Sequence, residues 1–152
     1  MHLTVHEELD AHDRQRLERG LDDHNRKQTG LGHLDPLHVL LNDEEGHCLG
    51  GATGWTLGDA FHISLLWVDE GVRGDGHGSS LLRRIEDEAR RRGARLAQLS
   101  TWAFQAPAFY LHHGYEVFGE LPDFPRGHTR YFLAKTLQPA NHTRPAPVRQ
   151  SK

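Results

Sequence analysis

Three glycines stand within five residues at the end of an apolar segment: Gly74, Gly76 and Gly78 in the stretch VDEGVRGDGHGSS from Val68 to Ser80. Helical periodicity begins at Leu81, so the glycines lie where a helix is predicted to start. A helix N-terminus has unpaired backbone N–H groups and partial positive charge, and glycines remove the side chains that would keep a phosphate away from them. Each glycine lowers helix stability by about 1 kcal/mol relative to alanine. We therefore interpret the stretch as an anion-binding loop; the alternative is a flexible connector.

Two common phosphate motifs do not fit this loop. A Walker loop requires a lysine before a serine or threonine, and the stretch contains no lysine. A Rossmann turn requires GxGxxG, but Ser79 occupies the place of the third glycine. The following strand also ends in Ser100 and Thr101, without the acidic residue that would bind a ribose.

The elements around the loop are predicted from hydrophobic periodicity. The segment AFHISLLWV, residues 60–68, is apolar and β-branched and predicts a central strand buried on both faces. Apolar residues from Leu81 to Ala89 recur at helical spacing, and Gly93 ends that helix. Residues 95–101 predict a second strand, so the three elements form a right-handed parallel crossover.

The remaining chain predicts further helices and antiparallel strands. An N-terminal helix is predicted over residues 10–28, with Asp10 as N-cap and Gly30 beyond its end. The other predicted elements are a hairpin of strands 37–42 and 47–57, a short helix at about 105–113, and paired strands 115–119 and 129–137.

A family signature lies in the glycine loop. Arg73, Gly76 and Gly78 form RxxGxG, which resembles the acetyl-CoA motif of the GCN5-related N-acetyltransferases (GNAT). A second segment, Ser100–Gly119, resembles the strand, helix and strand that follow in that family. The resemblance implies an α/β fold with a mixed, mostly antiparallel sheet, one parallel strand-helix-strand crossover and helices on both faces.

The resemblance also implies acetyl transfer from acetyl-CoA to an amine in a ternary complex. The loop amides would hold the CoA pyrophosphate, and the backbone of Val68 would contact pantetheine and the thioester oxygen. Many relatives bind pantetheine through an asparagine where this chain has Ala103; either Gln105 substitutes for it or this contact is absent. The residues that the resemblance assigns to CoA are Val68, Arg73, Gly74, Asp75, Gly76, His77, Gly78, Ser79 and Gln105.

Candidate catalytic residues follow from the same resemblance. Tyr110 stands where the family commonly carries a tyrosine that protonates the departing thiolate; the alternative is an aromatic that only packs beside Phe109. The base that deprotonates the amine is either His62 or Glu70, and a water chain is the third option. For the amine acceptor, the family pattern points to Asn25, Trp67, Phe124 and His128.

Two other functions remain open at this point. One is a non-catalytic acyl-CoA sensor that keeps the loop and has lost the chemistry. The other is a nucleotide-binding regulatory domain. The acceptor itself is not encoded in any motif, although the net charge of −3 favours a cationic small molecule.

Composition limits the remaining possibilities. A chain of 152 residues predicts one domain, which we place at residues 1–137, with a flexible tail at 138–152. A net charge of −3 argues against nucleic acid, and the absence of a long apolar run argues against a membrane span or an export signal. The single cysteine, Cys48, indicates a reducing compartment, so a cytoplasmic location is expected. Dimers are common in the family that the chain resembles, and the resemblance therefore implies a homodimer as one candidate state.

Two side-chain groupings are interpreted as structural. The thirteen histidines are spread along the chain and include no arrangement with the context of a metal site, so no metal is expected. The arginines of the helix after the loop are interleaved with Glu86, Asp87 and Glu88, which predicts a solvated helix face.

Overall fold

A computed structural model describes residues 1–137 of the chain. The described chain divides into two compact units, Met1–Asp35 and the chain from Pro36 onward. The predicted flexible tail from residue 138 lies outside the described residues. The assignment of residues 1–137 to a single domain stays a prediction.

The first unit contains helix α1, Ala11–Thr29. Asp10 caps its N-terminus by accepting a hydrogen bond from the Asp13 N–H at 2.8 Å. Gly30 ends the helix at a φ of 76°, where its N–H donates to the Arg26 carbonyl at 2.9 Å. Both predicted cap residues are confirmed.

The second unit is built on a six-stranded sheet of order β1-β2-β3-β4-β6-β5. The β3–β4 pair is parallel, while β2–β3, β4–β6 and β5–β6 are antiparallel. The mixed, mostly antiparallel sheet and its parallel crossover are thereby confirmed. The strands are β1 Asp35–Asn42, β2 Cys48–Leu57, β3 Ala60–Val68, β4 Leu96–Trp102, β5 Glu116–Leu121 and β6 Arg130–Thr136.

Two helices accompany the sheet within this unit. Helix α2, His77–Arg91, is the crossover between β3 and β4 and lies against β2 and β3. Its Leu82, Ile85 and Ala89 are fully buried, as the periodicity predicted. Helix α3, Pro107–His112, precedes Gly114, which has a φ of 88°. The expected placement of helices on both faces involves α1, which belongs to the first unit, and it stays a prediction.

Two expectations about burial are wrong. The central strand β3 is not buried on both faces, because Ser64, Leu65 and Trp67 are exposed where β3 has separated from β4. Glu86 does not lie on a solvated helix face but is 1% exposed. Its carboxylate accepts hydrogen bonds from Lys135 Nζ at 2.7 and 3.0 Å, a partner too distant in sequence to be seen in the helical charge pattern.

Within residues 1–137, no helix has the length and apolar character required to cross a bilayer.

Candidate functional site

The site is a groove formed where the parallel strands β3 and β4 separate. Their pairing covers only Ala60–His62 against Leu96–Gln98. Beyond it, the register of β3 on β2 slips at Ser64, which leaves an extra residue in β3 opposite Thr53 and Gly54. A side chain at Gly54 would collide with the His62 carbonyl, so the close approach of the strands at this bulge requires glycine. The resulting groove has a volume of about 960 Å³.

The backbone of Val68 faces this groove. The N–H of Asp69 donates to the Leu49 carbonyl on β2 at 2.8 Å. Successive residues of a strand direct their backbone groups to opposite sides, so the N–H of Val68 points away from β2 and into the gap. The Val68 carbonyl accepts a hydrogen bond from Arg73 Nε at 2.8 Å. Of the two Val68 groups expected to contact pantetheine, the N–H is therefore the one without a protein partner among residues 1–137.

The glycine loop closes one end of the groove with unpaired amides. Gly74 and Gly76 have φ values of 92° and 81°, and Gly76 caps α2 without a side-chain hydrogen bond. Within residues 1–137, the backbone N–H groups of residues 74–79 donate no hydrogen bond, and the first helical one, from Ser80, goes to the Gly76 carbonyl. These donors and the N-terminal dipole of α2 form a cradle for an anion such as a diphosphate.

The predicted loop residues take unequal positions. Arg73, Gly74, Gly76, His77, Gly78 and Ser79 line the groove, whereas Asp75 does not. The Ser79 hydroxyl lies 2.9 Å from His113 Nε2 on the residue after α3. Burial and the neighbouring His112 hold the pKa of His113 below its usual range, which favours the neutral ring in this contact.

Tyr110 reaches the groove from α3. It is 8% exposed, and its hydroxyl forms no hydrogen bond within residues 1–137. Burial raises the pKa of this phenol, so the proton stays on the oxygen near neutral pH. Tyr110 is therefore a protonated phenol in the lining of the groove.

The two candidate bases are separated by the structure. His62 lines the groove, stacks on Trp55 with 5.0 Å between ring centroids, and has Nδ1 2.7 Å from Gln98 Oε1. Since a carboxamide oxygen only accepts, Nδ1 is the donor in this contact, and Nε2 is the ring nitrogen outside it. Glu70 lies in a short 3-10 helix after β3, is 88% exposed beside Arg73, and does not line the groove.

Other predicted residues are divided between the groove and its surroundings. Gln105 lines the groove, but its Oε1 already accepts hydrogen bonds from the Trp102 N–H and the Thr101 hydroxyl, both at 3.0 Å. Trp67 lines the groove, whereas Phe124 and His128 lie on the β5–β6 loop outside its lining. Asn25 lies on α1 in the first unit, and its acceptor role stays a prediction.

Sequence reasoning missed a cluster at the end of β4. Arg130, the first residue of β6, pairs in register with Trp102 and has its guanidinium carbon 4.2 Å from the centroid of the Trp102 ring. Its Nε and Nη2 donate to the Ser100 hydroxyl at 3.1 and 2.6 Å. All three residues line the groove. The sequence does contain polar and aromatic residues at the ends of these two strands. They indicate a cluster only when the pairing of β4 with β6 is known.

Comparison with known proteins agrees with this architecture. Residues 3–115 match the family described as acetyltransferase (GNAT) family. The chain is 44% identical over 115 residues to a blasticidin-S acetyltransferase of Streptomyces morookaense, covering 73% of this chain and 85% of that protein. It is 27% identical to an acetyltransferase of Agrobacterium fabrum, covering 89% of this chain and 98% of that protein.

A solved structure shows the same fold. An acetyltransferase from Bacillus cereus superposes with a TM-score of 0.73 at 35% identity, covering 88% of this chain and 98% of that one. The separated parallel strands, the loop with unpaired amides and these matches lead to one assignment. The chain belongs to the GNAT family of acetyltransferases.

Proposed function

We propose that this acetyltransferase moves an acetyl group from acetyl-CoA to an amine by direct attack with both substrates bound. The observation that carries the proposal is the set of backbone amides at residues 74–79, which have no partner within residues 1–137 and border a groove of about 960 Å³. Diphosphate fits this cradle because it accepts several N–H hydrogen bonds and gains from the helix dipole. The GNAT family uses acetyl-CoA as its co-substrate.

The residues around the groove have separate roles in this reaction. Bound acetyl-CoA supplies the activated acyl thioester. The N–H of Val68 donates to the thioester oxygen where negative charge develops, a contribution typically worth about 10² to 10³ in rate. Tyr110 gives its proton to the sulfur as the thiol leaves.

His62 is the base in this proposal. It lines the groove and has Nδ1 held by Gln98, which leaves Nε2 for the amine, whereas Glu70 is exposed, paired with Arg73 and outside the lining. Gln98 acts as a positioning residue because its Oε1 holds the proton on Nδ1 of His62. The amine proton is thus taken by Nε2, either directly or through one water molecule.

The blasticidin-S acetyltransferase that resembles this chain suggests an acceptor to test first. Because a protein 44% identical to this chain is a blasticidin-S acetyltransferase, we propose blasticidin S as the first acceptor to test. The experiment follows free thiol release from acetyl-CoA with DTNB, with and without blasticidin S and a panel of other amines. We expect acceptor-dependent thiol release. Binding of acetyl-CoA without thiol release for any acceptor would instead identify a sensor.

The base is tested with two matched variants. We expect His62→Ala to lower kcat by about 10² and to remove the acidic limb of the pH–rate profile, because a general base typically contributes about 10² to 10⁴. Glu70→Ala is expected to leave both unchanged. The opposite pattern would transfer the role to Glu70, and two unaltered profiles would exclude both residues.

A further inference from the structure

Arg130 presents an unused, oriented hydrogen-bonding edge to the groove. The Ser100 hydroxyl accepts from Nε and Nη2, which occupies one edge of the guanidinium plane. The plane lies over the Trp102 ring at 4.2 Å. The edge formed by Nη1 and the second N–H of Nη2 makes no hydrogen bond within residues 1–137. A guanidinium edge of this kind matches the two oxygens of a carboxylate.

The charge of Arg130 is not balanced by the protein. Within residues 1–137, no carboxylate oxygen lies within 4.0 Å of its guanidinium nitrogens. No aspartate or glutamate of residues 1–137 lines the groove, although the chain as a whole has a net charge of −3. Arg130 is also half-buried, so water compensates its charge less well than at the surface. A cationic groove favours an acceptor with an anionic group over the purely cationic small molecule that the whole-chain charge suggested.

The register places Arg130 and His62 on one face of the sheet. His62 pairs with Gln98 on β4, and alternate residues of that strand, Ser100 and Trp102, point to the same face as Gln98. Arg130 pairs with Trp102 and reaches back to Ser100. His62 and the hydroxyl that holds Arg130 therefore lie at neighbouring positions on one face of the sheet.

We propose that Arg130 binds a carboxylate of the acceptor, so that the acceptor class is an amine that also bears a carboxylate. This inference rests on the proposed acetyl transfer. It adds a binding site for the acceptor and names Arg130 as the residue that determines its charge.

The experiment compares two probes that differ only in charge. 4-(Aminomethyl)benzoate carries the amine and a carboxylate across a planar ring, and 4-(aminomethyl)benzamide replaces the carboxylate by a neutral amide. Dissociation constants are measured by calorimetry on the full chain saturated with CoA. We expect the benzoate to bind at least about tenfold more tightly, as a charge-assisted hydrogen-bonded pair should. Equal binding of the two probes, or no binding of either at millimolar concentration, would overturn the proposal.

Variants connect the preference to Arg130. Arg130→Gln is expected to abolish the difference between the probes, and Arg130→Lys, which keeps the charge but loses the planar edge, to retain part of it. Arg126→Gln changes an exposed arginine on the β5–β6 loop outside the groove lining and serves as the matched control, with the difference kept. A preference that survives in Arg130→Gln would refute the assignment. If Arg130→Gln does not fold, the difference between the two probes is compared in the wild type and in Arg130→Lys, and an undiminished difference in Arg130→Lys would refute the role of the planar edge.

Kinetics separate this inference from the proposed function. With any acceptor that is turned over and bears a carboxylate, Arg130→Gln should raise the KM for the acceptor about tenfold and leave the KM for acetyl-CoA unchanged. A rise in the KM for acetyl-CoA instead would assign Arg130 to the CoA phosphates and overturn the carboxylate site. Failure of the wild-type chain to bind acetyl-CoA would count against the proposed function itself.

Discussion

At the level of single residues, two neighbouring tyrosines have different surroundings. Tyr110 and Tyr115 form an edge-to-face pair with 5.8 Å between ring centroids. Tyr110 borders the groove, whereas the Tyr115 hydroxyl is buried and has no hydrogen-bond partner within residues 1–137. Burial raises the pKa of both phenols, and Glu86 adds to the effect on Tyr115. Both keep their protons near neutral pH, but only Tyr110 can deliver one to a molecule in the groove.

Tyr110→Phe is predicted to lower kcat by about 10² or more, because it removes the proton donor for the departing thiolate. The KM for acetyl-CoA should change little, since the loop amides that hold the diphosphate are untouched. Steady-state kinetics with acetyl-CoA and the acceptor varied separately measure both quantities. An unchanged kcat would show that Tyr110 serves packing alone.

Tyr115→Phe is the matched control for that substitution. It removes one hydroxyl from the same aromatic pair, and this hydroxyl is buried without a partner within residues 1–137. The variant should be more stable than the wild type, with a free energy of unfolding higher by about 1 kcal/mol, because an unsatisfied buried polar group destabilises the fold. Its kcat should equal that of the wild type, and loss of activity would mean that the aromatic packing itself governs the rate.

His113 predicts a pH dependence of stability. Burial and His112 lower its folded-state pKa below the usual 6.5, so the folded chain binds its proton less readily than the unfolded chain does. The contribution of the neutral His113 ring to the free energy of unfolding is fully present above about pH 6.5. It is lost as the pH falls through the folded-state pKa. Urea unfolding at pH 8 and pH 5 should therefore show a smaller acid-induced loss for His113→Asn than for the wild type. An equal loss in both proteins would assign the effect to other histidines.

At the level of elements, local signals predicted most of the secondary structure. Caps such as Asp10 and Gly30, the periodicity of α2 and the apolar run of β3 all act within a few residues, so the sequence displays them. The separation of β3 from β4 depends on a bulge at Ser64 and on where pairing stops, which are tertiary features without a local signal. The glycine loop was therefore predictable, while the wall of the groove around Arg130 was not.

The N-terminus of α2 offers a test of the amide cradle. A Cβ added at Gly78 would lie 3.6 Å from the Phe109 ring, an ordinary contact, and alanine suits a helix better by about 1 kcal/mol. Gly78→Ala should thus fold at least as stably as the wild type. Because its methyl group would stand beside the amides, we expect the KM for acetyl-CoA to rise about tenfold.

A second helical glycine provides the control. Gly20→Ala lies in α1, where the new Cβ would approach only the flexible end of the Arg16 side chain, at 3.0 Å. This variant should gain similar stability and keep the KM for acetyl-CoA. If Gly78→Ala also keeps its KM, the amides at the start of α2 do not hold the diphosphate.

Helix α2 is tied to strand β6 by a buried ion pair. Glu86 is 1% exposed and accepts from Lys135 Nζ at 2.7 Å, while Arg90 Nη2 lies farther away at 3.7 Å. Lys135→Met leaves a buried carboxylate without its near partner and should lower the free energy of unfolding by about 3 to 5 kcal/mol. The double variant Glu86→Leu, Lys135→Met should recover most of the loss, because no buried charge remains. Urea unfolding measures both, and a loss below about 1 kcal/mol in the single variant would contradict the pairing.

At the level of the whole molecule, the charge of the groove differs from the charge of the chain. The chain has a net charge of −3, yet the groove is lined by Arg73 and Arg130 and by no carboxylate from the part of the chain that the structure describes. Carboxylates elsewhere, such as Glu86 and Glu88, are paired with the cations of α2 and β6. The net charge therefore could not predict that the groove prefers an acceptor with an anionic group, because net charge is a sum over residues that the fold places in different parts of the molecule.

The missing β3–β4 pairing also predicts how acetyl-CoA affects global stability. A ligand that hydrogen-bonds to the Val68 N–H and to the loop amides binds only the folded chain, because unfolding removes the groove. At a concentration of one hundred times its Kd, such a ligand raises the free energy of unfolding by about 2.7 kcal/mol. For a chain of this size, that corresponds to a rise in Tm of about 5 to 10 °C. Thermal unfolding with acetyl-CoA, ATP and NAD should show this rise for acetyl-CoA alone and a smaller one in Gly78→Ala. An equal rise with ATP or NAD would favour a nucleotide-binding domain, since the diphosphate alone would then explain the affinity and the groove beyond it would contribute nothing.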